Sequence, residues 1–367
     1  MKKLLPLFVL TLLISIAIAC GGSDEDTSAA TATPAAVTDD ATATEEATPN
    51  TEPFTLRLGY FANITHSQPL VGLNNGIFAE ELGDHVTIEE KTFNAGPSAI
   101  EALFAGEIDA TFIGPNPAIN GYIQSGGEAL RIVAGATSGG ALFIVNPDAG
   151  IVEPADLNGK RIATPQLGNT QDVALRAWLV ANGLGAKESG GDVNVQPIAN
   201  ADSLALFQQG ELDGAWVPEP WGTRLIQEAD GEIYLNEAEL WPDGKYVTTH
   251  LIVSTDLLEE RPDIVEGLVR ATVATTLWIN DNPEEAKTLV NTAIEEISGA
   301  ALPQAVIDAA WENIEITFDP VASSLVKSAE DAFELGYLEE EPDLDGIYSL
   351  DILQQVLKDE GLPPVDE

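Results

Sequence analysis

The segments SAIEALFAGEIDATFI (98–113) and DSLALFQQGELDGAWV (202–217) share one pattern at an offset of 104 residues. Each predicts a helix that ends at a glycine, Gly106 or Gly210, then Glu, an apolar residue, Asp and a short buried strand. Two copies a domain length apart favour two similarly built lobes, because a solenoid would need several copies. Since strands and helices alternate along the chain, the sequence predicts an α/β fold.

Each predicted lobe opens with a strand, a polar turn and a helix, LRLGYFANITHSQP (56–69) in the first and KRIATPQLGNTQD (160–172) in the second. Parallel sheets bind ligands at the carboxyl ends of their strands, where such turns lie. The two lobes are therefore expected to present two sets of loops to one another across a cleft. The strands are predicted at 55–60, 86–91, 110–113, 131–135, 161–163, 193–197, 214–217 and 251–254.

Charge and cysteine content exclude several classes of function. The chain has 16 Lys and Arg residues against 60 Asp and Glu residues, a formal net charge of −44. Nucleic acid and anionic lipid surfaces attract clustered Lys and Arg, so neither is expected to attract this chain by charge. Cys20 is the single cysteine, which excludes an intramolecular disulfide and a Cys-based metal site. We expect no metal and no other cofactor.

The N-terminal region indicates export. Lys2 and Lys3 precede an apolar run over 4–19, which predicts a signal peptide at 1–19. The following AIACG (17–21) resembles the lipobox of bacterial lipoproteins, in which Cys20 becomes the acylated first residue, although Ala17 stands where Leu is usual. The alternative is an ordinary signal peptide with a chance cysteine. Residues 20–53 are small, polar and acidic, which predicts a disordered tether on a lipid-anchored, extracytoplasmic protein.

Several motifs, in order, carry a family resemblance. They are GY (59–60) with Pro69, FNAGPS (93–98), GEID (106–109), GPNP (114–117), LNGKRIATP (157–165) and WVPEPW (216–221). With them the chain resembles the periplasmic-type solute-binding proteins of ABC importers, in the aliphatic sulfonate, taurine, nitrate and thiamine-precursor group. The resemblance implies the type II-like two-lobed periplasmic binding protein fold, with crossovers near 141–145 and 247–253. Lobe 1 is then 54–144 plus 247–367, and lobe 2 is 145–246.

The resemblance also implies the function. It is that of a monomeric binding component that closes on a small organic anion, most simply an aliphatic sulfonate or taurine, and delivers it to the membrane permease. The alternatives are nitrate or bicarbonate, a thiamine-precursor pyrimidine, a sensor in place of the permease, or an enzyme on the same fold. An enzyme is disfavoured because the sequence lacks a Gly-x-Ser-x-Gly elbow, a His-Glu-x-x-His pair and a phosphate-binding loop.

Two predicted helix starts are the first candidates for ligand binding. Gly96-Pro97-Ser98 places a hydroxyl beside free backbone N–H groups, and Asn169 and Thr170 open the matching helix of the second lobe. Helix N-termini bind anions through those N–H groups and the aligned peptide dipoles. The alternative is a pair of ordinary capped helices. In the second helix, Asp172 could itself occupy the donors as a capping-box partner of Asn169.

Other candidates follow strands. Asn63 and His66 lie in the first loop, and Phe61 could form an apolar wall or belong to the core. Three further polar residues at strand ends complete this set: Asn116, Ser138 and Gln166.

The motif WVPEPW (216–221) is the most distinctive element. Glu219 lies between two prolines after a predicted strand, so its carboxylate is expected to be fixed in direction. Trp216 offers a flat surface for a ligand or for the core. A fixed carboxylate suits a ligand with both an amine and an acid group, such as taurine. Arg and Lys are not assigned to the ligand, because Arg57, Lys160, Arg161 and Arg176 are expected to face solvent or to begin elements.

Overall fold

The computed structural model describes residues 50–366. The predicted signal peptide, Cys20 and nearly all of the predicted tether lie outside the described residues. Within them, no helix has the length and apolar character needed to cross a membrane. The strands are β1 (Phe54–Phe61), β2 (Val86–Phe93), β3 (Ala110–Ile113), β4 (Leu130–Gly139), β5 (Ala141–Val145), β6 (Arg161–Thr164), β7 (Asn194–Pro197), β8 (Gly214–Pro218), β9 (Glu232–Asn236), β10 (Val247–Ser254) and β11 (Ile314–Ile316).

The strands form two sheets, one in each lobe. The first has the order β11-β4-β10-β3-β1-β2, with β1 parallel to β2 and β3 and with β10 antiparallel to β3 and β4. The second has the order β7-β6-β8-β5-β9, with β6 parallel to β7 and β8 and with β5 antiparallel to β8 and β9. The predicted α/β two-lobed fold is confirmed.

Helices cover both faces of each sheet, and each face has its own apolar cluster. The helices are α1 (Ser67–Gly72), α2 (Ile77–Leu82), α3 (Gly96–Phe104), α4 (Pro115–Gln124), α5 (Thr170–Ala181), α6 (Asn200–Gln208), α7 (Trp221–Ala229), α8 (Thr255–Glu260), α9 (Pro262–Asp281), α10 (Pro283–Ser298), α11 (Gln304–Trp311), α12 (Ala322–Glu334) and α13 (Asp351–Asp359). Because both faces are covered, central strands such as β5 are fully buried runs.

The repeated segments form the same contacts in both lobes. In the first lobe, the carboxylate of Asp109 accepts hydrogen bonds from the backbone N (2.8 Å) and Nε (2.9 Å) of Arg57. In the second lobe, Asp213 accepts the same two bonds from Arg161, at 2.7 and 3.0 Å. The Arg side chains also donate to the carbonyls of Gly106 and Gly210, where the preceding helices end. The Glu-apolar-Asp pattern therefore ties each helix–strand unit to the neighbouring strand.

The chain passes between the sheets twice. It leaves the first sheet at Gly139 and Gly140, whose φ angles of 78° and 79° are in the left-handed region that favours glycine. It returns through residues 237–246, and Tyr246 links the two crossings because its hydroxyl accepts a hydrogen bond from Ala141 N at 3.1 Å. The segment 141–145, expected to be a crossover, is strand β5 of the second sheet, and the change of sheet occurs just before it.

Replacing Gly140 tests how tightly the first crossing is packed. A Cβ at Gly140 would lie 2.5 Å from Ile314 Cγ2, whereas a Cβ at Gly150, which also has a positive φ of 67°, would meet nothing. Both Gly→Ala variants should lose about 1–2 kcal/mol of unfolding free energy from the left-handed backbone. Gly140→Ala should lose about 1–3 kcal/mol more because of the clash. Urea unfolding measures both, and equal losses would contradict the close packing.

Candidate functional site

A small cavity lies between the lobes, at the loops that follow the carboxyl ends of their parallel strands. Its volume is about 20 Å³, enough for a water-sized group. We call it the inner cavity. Its lining residues are Phe61, Asn63, Thr65, His66, Asn94, Ala95, Gly114, Pro165, Asn169, Thr170, Gln171, Asn200, Pro218 and Thr248.

Much of this lining follows the sequence repeat. Four pairs of lining residues are separated by the same offset of 104 residues as the repeated segments, so each lobe contributes the matching position. The pairs are Phe61 and Pro165, Thr65 and Asn169, His66 and Thr170, and Gly114 and Pro218. The inner cavity is therefore formed by equivalent loops of two similarly built lobes.

Four helices begin at the inner cavity. Ala95, Gly114 and Asn169 are the residues just before α3, α4 and α5, and Asn200 is the first residue of α6. No side chain caps the N-terminus of any of these four helices. The first N–H groups of a helix have no partner within the helix, and the helix dipole adds partial positive charge there. This arrangement suits an anionic group.

The inner cavity combines neutral walls with unpartnered polar atoms. Its lining residues include no Asp, Glu, Lys or Arg. Three of them have a buried polar atom without a hydrogen-bond partner, namely His66 Nδ1, Thr170 Oγ1 and Asn200 Oδ1. Burial lowers the pKa of His66 to about 3, so its imidazole is neutral at physiological pH. Buried polar atoms without partners are uncommon, and three at one cavity point to a ligand that would complete them.

The structure brings five of the predicted site residues to the inner cavity: Phe61, Asn63, His66, Asn169 and Thr170. The ring of Phe61 lies against the imidazole of His66, with centroids 4.3 Å apart. Asn63 Oδ1 accepts a hydrogen bond from Trp221 Nε1 of the second lobe at 3.0 Å. Asn63 thus contributes to the contact between the lobes as well as to the wall of the cavity.

Four predicted residues lie outside this lining. Ser98 Oγ donates to the carbonyl of Ala95 at 2.8 Å, within the start of its own helix. Asn116 is buried and donates to the carbonyl of Ser328 at 3.0 Å. Ser138 is buried in β4 beside the first crossing, and Gln166 lies in the turn before α5 without lining the inner cavity.

The positions of Trp216 and Glu219 differ from the ligand-binding role predicted for WVPEPW (216–221). Trp216 is fully buried in the core of the second lobe, where its ring stacks on Phe143 at 5.4 Å. Glu219 is also fully buried, and its carboxylate accepts hydrogen bonds from Thr223 N (3.0 Å), Thr223 Oγ1 (2.8 Å) and Asn313 Nδ2 (2.8 Å). Its carboxylate is therefore used to start α7 and to join the second lobe to Asn313 of the first.

The charges beside the start of α5 also differ from the prediction. Asp172 does not form a capping box with Asn169, because its carboxylate accepts from Gly168 N (3.0 Å) and Thr164 Oγ1 (2.8 Å). Arg176, expected to face solvent, is buried and pairs with Asp172 at 3.1 Å. This ion pair compensates the one buried carboxylate near the helix start.

Among the polar lining residues, sequence reasoning missed Asn94, Gln171, Asn200 and Thr248. One signal could have found Asn200, since the offset of 104 residues that relates the repeats also relates Asn200 to Gly96, the predicted helix start. No comparable signal in the sequence identifies the other three.

A wider space opens beside the inner cavity. It measures about 410 Å³ and shares Asn63, Asn94 and Asn200 with the inner cavity. We call it the outer cavity. Its other lining residues are Ala62, Thr92, Phe93, Ala199, Ala201, Asp202, Trp221 and Ile297. Asp202 is the one charged residue among them. No group of three or more His, Cys, Asp or Glu residues able to hold a metal occurs within 50–366.

Comparison with known proteins gives a family and a fold. The model of the NMT1-like family matches residues 49–294. The taurine-binding periplasmic protein of Escherichia coli (strain K12) is 27% identical over 213 residues, which is 57% of this chain and 62% of the relative. The nitrate/nitrite binding protein NrtA of Nostoc sp. is 26% identical over 140 residues, 38% of this chain and 31% of the relative. The match therefore spans less than two thirds of either relative.

Two solved structures share the fold. The alkanesulfonate-binding protein SsuA from Xanthomonas axonopodis pv. citri, bound to MOPS, is 20% identical with a TM-score of 0.67, covering 82% of this chain and 99% of that chain. The periplasmic nitrate-binding protein NrtA from Synechocystis PCC 6803 is 17% identical with a TM-score of 0.72, covering 86% and 92%.

The neutral imidazole of His66 predicts a pH dependence of stability. Burial lowers the pKa of His66 to about 3 and that of His250 to about 4. In the unfolded chain both rings bind a proton as the pH falls through about 6.5. At these two rings the unfolded state then holds more protons than the folded state, so the contribution of the two histidines to the free energy of unfolding should fall as the pH drops from about 6.5 towards 4.

Replacing His66 isolates its contribution to this pH dependence of stability. His66→Gln should reduce the slope of unfolding free energy against pH by up to about 1.4 kcal/mol per pH unit in that window. Urea unfolding at several pH values measures the slope, and His250→Gln should reduce it in the same way. An unchanged slope in His66→Gln would contradict a buried, neutral His66.

Proposed function

Because the chain belongs to the NMT1-like family, we propose that it is the extracytoplasmic solute-binding component of an ABC importer. Its two lobes close on a small anion and deliver it to the permease. The relatives reported above are binding proteins, and the proposal assigns no catalysis. It includes a lipid anchor at Cys20, a tether over 20–53 and a monomeric state.

The observation that carries the proposal is the inner cavity itself. Four helix N-termini converge on a neutral wall that contains three buried polar atoms without partners. A carboxylate, sulfonate or nitrate group accepts hydrogen bonds from the backbone N–H groups at these helix starts and from the Thr170 hydroxyl, and it is favoured by the aligned helix dipoles. A cation would be disfavoured by the same dipoles.

The dimensions of the two cavities favour an organic anion. The inner cavity holds one small group, so the rest of a larger ligand must extend into the outer cavity, which supplies the apolar surfaces of Phe93, Trp221 and Ile297. Asp202 offers a carboxylate there, in the role that the sequence had suggested for Glu219. We propose a sulfonate with a short organic body, and taurine in particular, because its ammonium group would face Asp202.

A second candidate is a small inorganic anion. The inner cavity alone, at about 20 Å³ in this closed arrangement, is better matched in size to nitrate or bicarbonate than to a whole organic molecule. A thermal-shift screen of taurine, alkanesulfonates, nitrate, bicarbonate and pyrimidines separates the candidates. If none of these compounds raises the melting temperature, the proposed function is wrong.

Closure would be held by hydrogen bonds that cross between the lobes. Trp221 Nε1 donates to Asn63 Oδ1, Asn313 Nδ2 donates to Glu219 Oε1, and Tyr337 in the C-terminal part of the first lobe donates to Asp172 Oδ2 at 2.7 Å. Each of these bonds needs both lobes, and Asn63 also lines the inner cavity. A ligand that contacts both lobes shifts the population towards this closed form.

The unpartnered hydroxyl of Thr170 gives the first test. Thr170→Val keeps the shape of the side chain and removes the hydroxyl, so the ligand with the largest thermal shift should bind about tenfold more weakly or worse, as expected for a lost hydrogen bond to a charged group. Ser98→Ala is the matched control, since Ser98 does not line the inner cavity. Calorimetry should find the control within about threefold of the native protein. Equal weakening in both variants would contradict the site.

Asp202 gives the second test, which concerns the ligand class. Asp202→Asn should weaken taurine by about threefold relative to ethanesulfonate, which lacks the amine, because an exposed carboxylate contributes only modestly. Glu232→Gln is the control, an exposed carboxylate of the second lobe that lines neither cavity. If Asp202→Asn changes both affinities equally, Asp202 does not recognise the amine, and the anion proposal stands without it.

A further inference from the structure

A third cavity, of about 360 Å³, lies along α5, with lining residues from Thr170 to Ala181. Its walls are α5 of the second lobe, α12 of the first lobe and the returning segment 237–241. We call it the hinge-side cavity. It shares Thr170 alone with the lining of the inner cavity, so it is a separate space. Its volume is in the range of pockets that hold small molecules.

Most of the hinge-side cavity is apolar. Two indole rings, Trp178 and Trp241, lie in its lining, together with the aliphatic residues Val173, Ala177, Leu240 and Leu335. The ring of Trp241 also stacks on Tyr246, at 5.5 Å and 9°, which fixes its position beside the crossing. Flat indole faces accept aromatic bodies and also cations.

The polar part of this lining is acidic. It contains Glu237, Asp331 and Glu334 against a single Lys327. Lys327 already pairs with Asp331, at 2.6 and 2.7 Å to its two carboxylate oxygens. Charge complementarity therefore favours a cation in the hinge-side cavity, in a chain whose net charge also attracts cations.

Glu237 is the buried acidic group of this lining, and it accepts one hydrogen bond. Its side chain is only 2% exposed, and Trp216 Nε1 donates to its Oε2 at 2.7 Å. The indole N–H of Trp241 lies near the same carboxyl but makes no hydrogen bond of good geometry. Burial and the nearby Asp331 raise the pKa of Glu237 to about 7. A carboxylate can accept several hydrogen bonds, so an ammonium group beside Glu237 would supply donors that the protein does not.

We propose that the hinge-side cavity binds a small organic amine, with its ammonium group beside Glu237 and its apolar body along Trp178 and Trp241. Because α5 and α12 belong to different lobes, the amine contacts both and favours the closed arrangement. Binding at this cavity and at the inner cavity is then linked, and by reciprocity each ligand raises the affinity of the other.

The test uses the full chain and 2-phenylethylamine as the probe. Two analogues of the same shape serve as ligand controls, 2-phenylethanol, which is neutral, and phenylacetate, which is an anion. Calorimetry should find the amine binding about tenfold more tightly than the alcohol, and phenylacetate should not bind there. Fluorescence of Trp178 and Trp241 should change with the amine. Equal binding of amine and alcohol, or no binding of the amine at millimolar concentration, would overturn the proposal.

Variants of the lining residues test whether the amine binds in the hinge-side cavity. Ala177→Leu fills the cavity from α5 and should abolish binding of the amine, whereas Glu237→Gln should weaken it about tenfold. Glu330→Gln, on the same helix as Asp331 but outside the lining, is the matched control and should leave binding unchanged. If Glu237→Gln does not fold, Ala177→Leu still decides the location. Undiminished binding in Ala177→Leu would overturn the assignment, whatever the anion screen finds.

Discussion

The ion pair of Asp109 with Arg57, and its counterpart of Asp213 with Arg161, is the interaction on which the rest of the structure depends. Each pair fixes the end of a helix and the start of the following strand against the neighbouring parallel strand, β1 in the first lobe and β6 in the second. With that unit fixed, the opposite ends of the helices, at Gly96 and Asn200, are held at the cleft. The position of these helix starts at the inner cavity is thus a consequence of how each α/β unit is held together at the opposite edge of its sheet.

This construction accounts for how a strongly acidic chain would hold the proposed anion. Repulsion from distant carboxylates is screened over about 8 Å at physiological ionic strength, whereas donors at the cavity act at contact distance. Helix N-termini carry only partial charges, so they attract an anion without the desolvation cost of a buried Lys or Arg. Arg176, the one buried cation beside the start of α5, is paired with Asp172 and leaves the neutral character of the wall unchanged.

The sequence predicts the elements that follow from local periodicity. It does not predict which sheet a strand joins or which way a side chain points. The repeat gave both lobes, most strands and the helix starts at Asn169 and Thr170, because these follow from local patterns. Strand β5 was taken for a crossover, since a short apolar run does not reveal which sheet it joins. The sequence assigns Glu219 to the ligand because it follows a strand, and it leaves the ring of Trp216 open between the ligand and the core. Which side chains near a strand meet the core depends on packing that a single sequence does not contain.

Glu219 shows why a buried charge can belong to closure and not to the ligand. Burial raises the pKa of its carboxyl, and the hydrogen bonds from Thr223 and Asn313 oppose that rise. Two of its three bonds come from its own lobe, and the third comes from Asn313, which lies on the other lobe beside the first crossing. In the proposed opening of the lobes the carboxylate would exchange Asn313 for water, so this contact favours the closed form by no more than the net energy of one hydrogen bond. A single contact of this kind would favour the proposed closed form without fixing it, so that ligand binding would still shift the balance between open and closed lobes.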